Sequence, residues 1–346
     1  MRDILSLYKT ELSLFIAEIG GQSFRTDQIY SWLHKRHVTH FDEMSNLPLD
    51  LRGKLNEKAI IAKCRAIEKL SSADGCTKFL FALADGSIIE SVLMKYDGFG
   101  GTSACISSQV GCKMSCKFCA TGQGGFSRNL TAGEMLSQVY EIQKTEIDRK
   151  LTGVVVMGGG EPLDNFEATV KFIDLLTCKD GFHIAGRQIT VSTCGIVPKI
   201  YELAKLRLPV TLAISLHSPD DALRKMLMPA AGKYPVIELV NAGKYYANAT
   251  KRRTTYEYAL INGLNDSKKH AYDLFRLLKG QMCHINLIPI NPIGKCKYKG
   301  PSTEKVKSFA ETLKQLGLNA TIRRRLGDDV NAACGQLKAT STNSGI

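Results

Sequence analysis

An α/β fold, in the form of a partial (β/α)6 barrel behind a small N-terminal helical and β accessory domain, is predicted for this 346-residue chain. Two observations predict it. From residue 102 onward, short apolar runs rich in β-branched residues alternate with helical stretches, the pattern of a parallel sheet covered by helices. About six such units suit an open barrel better than a closed eightfold one.

The elements follow in chain order. Arg25–Lys35 reads as a short amphipathic helix with Ile29, Trp32 and Leu33 inward, and Phe41–Met44 and Leu51–Lys58 as two more helical pieces. Thr77–Leu83 and Ile88–Met94 alternate around Ala84-Asp85-Gly86, an Asp-Gly hairpin signal. The glycine-rich run 97–102 marks a boundary. Domains are therefore expected at 1–96 (accessory) and 97–337 (barrel with a C-terminal cysteine segment), with a polar, frayed tail at 338–346. Barrel strands are expected at Gly153–Met157, Gln188–Ser192, Pro209–Ser215, Tyr256–Leu260 and His284–Pro289, with one more ahead of residue 112. Helices fall near Ala132–Lys144, Phe166–Leu176, Val197–Leu206, Val236–Asn248, Lys269–Leu278 and Ser302–Leu316.

The net charge of +13 favours a polyanionic partner such as nucleic acid. The triplets Lys251-Arg252-Arg253 and Arg323-Arg324-Arg325 read more readily as solvated faces than as binding patches. Eleven cysteines are an odd number in a long chain without a leader-like start, which argues for reduced thiols in the cytoplasm rather than a disulfide scaffold. No apolar run approaches the roughly 20 residues that span a bilayer.

The most specific signal is Cys112-Lys-Met-Ser-Cys116-Lys-Phe-Cys119, a C-x3-C-x2-C run followed by Gly122-Gln-Gly124-Gly125. Three thiolates on one loop can each hold one iron of a four-iron cube and leave the fourth iron open. An open iron can bind a small molecule, as in radical enzymes, where it chelates the amino and carboxylate groups of S-adenosylmethionine, so a reaction centre rather than an electron wire is expected. The glycines oppose the alternative of a buried helical cysteine stripe, and a zinc site lacks its closing ligands nearby. Polar or glycine segments end the strands: Gly158-Gly-Gly160-Glu161-Pro, Ser192-Thr-Cys194-Gly, Ser215-Leu216-His217 and Asn291-Pro. Ligands gather at such strand ends in parallel α/β folds.

Over nearly its whole length the chain resembles the radical S-adenosylmethionine rRNA adenine-C2 methyltransferases. The resemblance rests on Asp27-Gln-Ile-Tyr-Ser-Trp-Leu33, Cys105-Ile-Ser-Ser-Gln-Val-Gly-Cys112, Phe118-Cys119-Ala-Thr-Gly and Met157-Gly-Gly-Gly-Glu161-Pro-Leu. It continues through Ser215-Leu-His217-Ser-Pro, Ile288-Pro-Ile-Asn291-Pro and Gly327-Asp-Asp-Val-Asn-Ala-Ala-Cys334-Gly-Gln-Leu. It implies one [4Fe-4S] cluster on Cys112, Cys116 and Cys119, and two S-adenosylmethionine molecules per turnover. Gly160, Glu161, Ser192, Ser215, Leu216, His217 and Asn291 match the cofactor-binding positions.

The resemblance also implies how the reaction runs. One S-adenosylmethionine methylates Cys334. A second is reductively split, and its deoxyadenosyl radical takes hydrogen from that methyl group, whose carbon then adds to adenine. Cys105 attacks the Cys334 sulfur, releasing the methylated base and leaving a transient disulfide. Glu90 matches the base that removes the ring hydrogen. The implied partners are 23S rRNA, possible transfer RNA and an electron donor such as flavodoxin or ferredoxin, with the enzyme a cytoplasmic monomer. Arg323–Arg325 and the basic N-terminal domain become candidate phosphate contacts.

Three positions depart from the family pattern. Gly159 replaces a methionine, which suits the same turn. Leu326 replaces an arginine, which removes one RNA contact. Cys194 stands where serine is common and reads as a small buried thiol. The alternatives are the sister adenine-C8 methyltransferases and an RNA-binding protein with a structural cluster.

Overall fold

The structure, a computed structural model, describes residues 1–96, 101–146, 149–291, 297–324, 326–337 and 340–341. Strand β1 (Arg2–Asp3), helices α1 (Lys9–Glu18), α2 (Arg25–His34) and α3 (Leu49–Lys58), and strand β2 (Ala59–Ile60) form the N-terminal unit, with β1 and β2 pairing in parallel. Helix α2 buries Ile29, Tyr30 and Leu33. Trp32, expected inward, is only half-buried: its Nε1–H donates to Asn46 Oδ1 at 2.6 Å, and the Arg36 guanidinium lies 4.0 Å over its ring.

Next comes an antiparallel meander of β3 (Arg65–Ser71), β4 (Thr77–Ala82) and β5 (Ser87–Tyr96). The β4–β5 hairpin is the one expected, turning at Gly86 with φ +82°. Strand β6 (Gly101–Cys105) is antiparallel to β5, pairing Cys105 with Val92, yet parallel to the strand on its other side. One sheet therefore runs through the boundary expected near residue 97. The hairpin is hydrogen-bonded to the barrel strands, and Arg128 fastens it further by pairing with Asp85 at 2.6 Å and Glu134 at 2.8 Å.

After β7 (Gln109–Gly111), α4 (Ala120–Gln123), β8 (Phe126–Asn129) and α5 (Ala132–Lys144), the parallel series proceeds. It comprises β9 (Gly153–Val156), α6 (Phe166–Thr177), β10 (Ile189–Thr193), α7 (Val197–Leu206), β11 (Thr211–Ser215), α8 (Asp221–Leu227) and α9 (Val236–Thr250). It ends with β12 (Thr254–Leu260), α10 (Lys268–Leu278), β13 (Cys283–Pro289), α11 (Thr303–Gln315) and β14 (Ala320–Ile322). The sheet order is β14-β13-β12-β11-β10-β9-β6-β5-β4-β3. Strand β14 is a seventh parallel strand beyond the six expected.

Val154, Val156, Ile189, Val191, Leu212 and Ile214 are all buried, as a sheet covered on its faces requires. Thr131 starts α5 with a capping box: its Oγ1 accepts from Glu134 N–H at 3.1 Å, and the Glu134 carboxylate accepts from Thr131 N–H at 2.9 Å. The tail also departs from a wholly frayed reading. Thr340 and Ser341 form β15, antiparallel to Ile88 and Ser87. Strand β6 reaches only Val92, which leaves the start of that β5 edge open for pairing. Among the described residues no helix is long and apolar enough to cross a membrane.

Candidate active site

The C-terminal ends of the parallel strands surround a cavity lined by Cys112, Cys116 and Cys119 together with Gly160, Glu161, Ser192, Ser215, His217 and Asn291. The sequence reading thus placed scattered motifs that the fold brings to one mouth. Leu216 differs: its side chain is fully buried in the core, so only its main chain can serve a ligand.

The glycine turn is built for close approach. Gly160 has φ +104°, and a Cβ there would stand 2.6 Å from Gln109 Cβ. Gln109, to which the sequence reading gave no role, pins this turn. Its Oε1 accepts from Glu161 N–H at 2.8 Å while its Nε2 donates to Asn129 Oδ1 and Asp164 Oδ2 at 2.8 and 2.9 Å. The Glu161 carboxylate accepts from Cys194 N–H at 2.7 Å and Leu163 N–H at 3.0 Å. Burial raises its pKa, and those amide donors oppose the rise. Cys194 is buried, and its main chain does the holding.

His217 adopts φ +57° and accepts from Ala259 N–H at its Nδ1, 2.9 Å away, which leaves Nε2 as the protonated nitrogen. Burial and the nearby Arg224 press its pKa down to about 3, so the ring is neutral at physiological pH. Arg224, fully buried, donates to the carbonyls of Ala231 and Ser215 at 2.8 and 3.3 Å and braces the strand ends. No signal in the charged run Asp220–Lys225 sets it apart from a solvated arginine.

The residues fit the cofactors that the motifs imply. Burial pushes the thiols of Cys112, Cys116 and Cys119 up, Cys112 to about 12, and the nearby Cys119 raises Cys112 and Cys116 further. Iron binding replaces those protons and relieves the cost. Among the described residues no three His, Cys, Asp or Glu converge on a single metal ion. In a cube each thiolate holds a different iron, so its sulfurs stand apart. In the same cavity Asn291 Oδ1 is buried without a hydrogen-bond partner among the described residues, as a position awaiting a polar ligand would be.

Cys334 lies on the wall shared by this cavity and a second one, which Cys105, Cys76, Tyr96 and Leu326 also line. The segment carrying it is stitched to the cluster loop. Ala120 N–H donates to the Gly335 carbonyl at 2.7 Å, Thr121 Oγ1–H to the Leu337 carbonyl at 2.7 Å, and Asn291 Nδ2–H to the Cys334 carbonyl at 3.3 Å. At its other end Gly327 N–H donates to Asp74 Oδ2 at 2.6 Å, clamping the segment to the β3–β4 turn. Both Cys105 and Cys334 are free thiols here. Burial, then the neighbouring Cys334, push Cys105 up to about 12, and Arg323 opposes them.

Glu90 shares a face of β5 with Val92 and Met94, which line the thiol cavity, but is not itself in that lining. Its Oε1 meets Lys78 Nζ at 3.5 Å as a buried ion pair, and the same ammonium donates to the Asn331 carbonyl at 3.4 Å. Arg323 also departs from expectation. It turns inward to the wall between the two cavities, while Arg324 stays exposed and Arg325 lies outside the described residues.

Comparison with known proteins is decisive. Residues 2–61 match the ribosomal RNA large subunit methyltransferase N-terminal domain, and residues 106–275 match the Radical SAM superfamily. A probable dual-specificity RNA methyltransferase RlmN from Clostridium botulinum (strain Eklund 17B / Type B) is 50% identical over 340 residues, covering 98% of this chain and 96% of that protein. The chain belongs to the RlmN family of radical SAM RNA methyltransferases. A further RlmN relative, from Lachnospira eligens, is 49% identical over 339 residues, 98% of this chain and 96% of that protein. The crystal structure of a radical SAM methyltransferase from Sphaerobacter thermophilus superposes with a TM-score of 0.93 at 42% identity, covering 97% of this chain and 99% of that one. RlmN-family membership brings with it a [4Fe-4S] cluster and S-adenosylmethionine.

Proposed function

We propose that this RlmN-family enzyme methylates carbon 2 of an adenine in 23S rRNA, and of transfer RNA as a second substrate, through a methylated cysteine. The observation that carries the reading is the placement of Cys334 on a wall common to the strand-end cavity and the cavity of Cys105. The dual-specificity description of the relatives supports the two RNA classes.

Cys112, Cys116 and Cys119 would hold the cluster, and Gly160, Glu161, Ser192, Ser215, His217, Asn291 and the main chain at Leu216 would line the S-adenosylmethionine site. When bound, the two cofactors supply the methyl group and the radical chemistry. The chain's own residues do the rest. Cys334 carries the methyl carbon and, once that carbon has joined the adenine ring, tethers the RNA through a thioether. Cys105 attacks the Cys334 sulfur and releases the base. Glu90 accepts the ring proton, its carboxylate kept in place by Lys78. The N-terminal unit and the exposed Arg324 contact phosphates and leave the base to be unstacked into the site.

An electron donor such as flavodoxin or ferredoxin, a monomeric state and a cytoplasmic setting complete the reading. Mass spectrometry of nuclease-digested RNA treated with the enzyme tests it: 2-methyladenosine is expected. Finding 8-methyladenosine would assign the chain to the sister activity, and no methylation with no deoxyadenosine release would reduce it to an RNA-binding protein.

A further inference from the structure

Arg323 is the first residue beyond β14. Its main-chain N–H donates to the Leu287 carbonyl at 2.8 Å, which extends the β13–β14 ladder by one residue and fixes where the side chain leaves the sheet. That side chain, 26% exposed, lines both cavities, touching Glu257 Oε2 at 3.9 Å and lying 3.9 Å from Met157 Sδ. Neither contact saturates a five-donor fork. A loose ion pair here leaves the positive charge available to the cavity.

The groups facing Cys105 come from every element packed on it. Tyr96 is on β5, Cys76 lies at the foot of β4, Cys334 is on the C-terminal segment, and Arg323 stands at the end of β14 with Glu257 behind it. The Lys78–Glu90 pair lies farther along the same face, and exposed Arg324 stands at the rim. Ionised Cys334, Cys76 or Tyr96 would each repel a thiolate at Cys105. Arg323 is the cation among them that lines both cavities.

We propose that Arg323 is a positioning residue of the thiol pair, supplying the positive charge against which Cys105 becomes the attacking thiolate. This rests on Cys105 being the resolving thiol. In that step the Cys105 sulfur forms a bond to the Cys334 sulfur while the bond from Cys334 to the methylene carbon breaks. The bonding pair leaves with that carbon, which takes up a proton to become methyl, and the two cysteines end as a disulfide oxidised by the same two electrons. An ordinary thiol near pH 8 performs this attack only as far as it is ionised.

The test measures Cys105 itself, in the full-length, cluster-loaded protein with Cys334→Ala taking the second thiol of the pair away. Alkylation of Cys105 by iodoacetamide is followed by peptide mass spectrometry between about pH 7 and pH 10. Arg323→Gln is expected to slow alkylation at about pH 8 by about tenfold and move the profile up by about one pH unit. Arg323→Lys, which keeps the charge, should stay within about threefold of the parent. Equal rates in the parent and the Gln variant overturn the proposal, and so does an equal loss with Lys and Gln, which would mark a role of shape alone. Arg323→Met serves if the Gln variant does not fold. During turnover with Cys334 intact, Arg323→Gln should also make the covalent protein–RNA species persist about tenfold longer; an unchanged lifetime overturns the proposal. If Cys105→Ala yields no such species, the resolving-thiol reading fails instead, and the alkylation result still stands on its own.

Discussion

At Gly160 the backbone turns through φ +104° with Gln109 packed against it, so an alanine must either strain the turn or displace Gln109. Gly160→Ala is expected to destabilise the chain by about 1–3 kcal/mol and to weaken S-adenosylmethionine binding, read by thermal melting and equilibrium dialysis. Unchanged binding would show that this turn does not approach the cofactor. Single residues were legible where chemistry restricts the choice. The spacing of Cys112, Cys116 and Cys119 announced a thiolate loop, and the strand-end positions of Glu161, His217 and Asn291 raised them above ordinary polar residues. Arg323 and Gln109 were not legible. A basic triplet does not reveal which member turns inward, and a glutamine shows its role only when the amide it holds, here that of Glu161, is seen beside it.

The C-terminal segment from Gly327 to Leu337 is the element on which the proposed chemistry depends, and it has little regular structure to hold it. Asp74 does much of that holding. Burial raises its carboxyl, but the amides of Gly327 and Cys76 outweigh burial and leave it below the usual range. Asp74→Ala should release the clamp at a cost of about 1–3 kcal/mol, with faster hydrogen exchange at Gly327 and lower methylation rate. Protection at Gly327 equal to the parent would remove Asp74 from this account. Helices such as Ala132–Lys144 and Val197–Leu206 were read to the residue, because an apolar stripe coincides with a start signal, the Thr131 capping box in one and a first-turn proline in the other. Strand β14 escaped notice: three residues, two of them exposed, carry no usable alternation.

Across the whole molecule, one sheet joins the β3–β5 meander to the parallel strands, so Cys105 at the end of β6 has antiparallel neighbours on one side and parallel neighbours on the other. Composition alone suggested separate lobes because hairpin and barrel differ in local pattern, and only the pairing of Val92 with Cys105 shows their continuity. The charge of +13 belongs to this scale as well. RNA affinity should fall as salt rises, and Arg324→Glu should weaken binding about equally across RNA sequences and reduce the logarithmic salt slope by about one. A slope unchanged in that variant would take Arg324 out of the RNA contact.

The central claim is that Cys334 carries the carbon and Cys105 releases it. Cys105→Ala, supplied with S-adenosylmethionine, reductant and RNA, tests it on a denaturing gel followed by peptide mass spectrometry. The account predicts a covalent protein–RNA species joined through Cys334. Free methylated RNA released at the parent rate, with no such species, would contradict it.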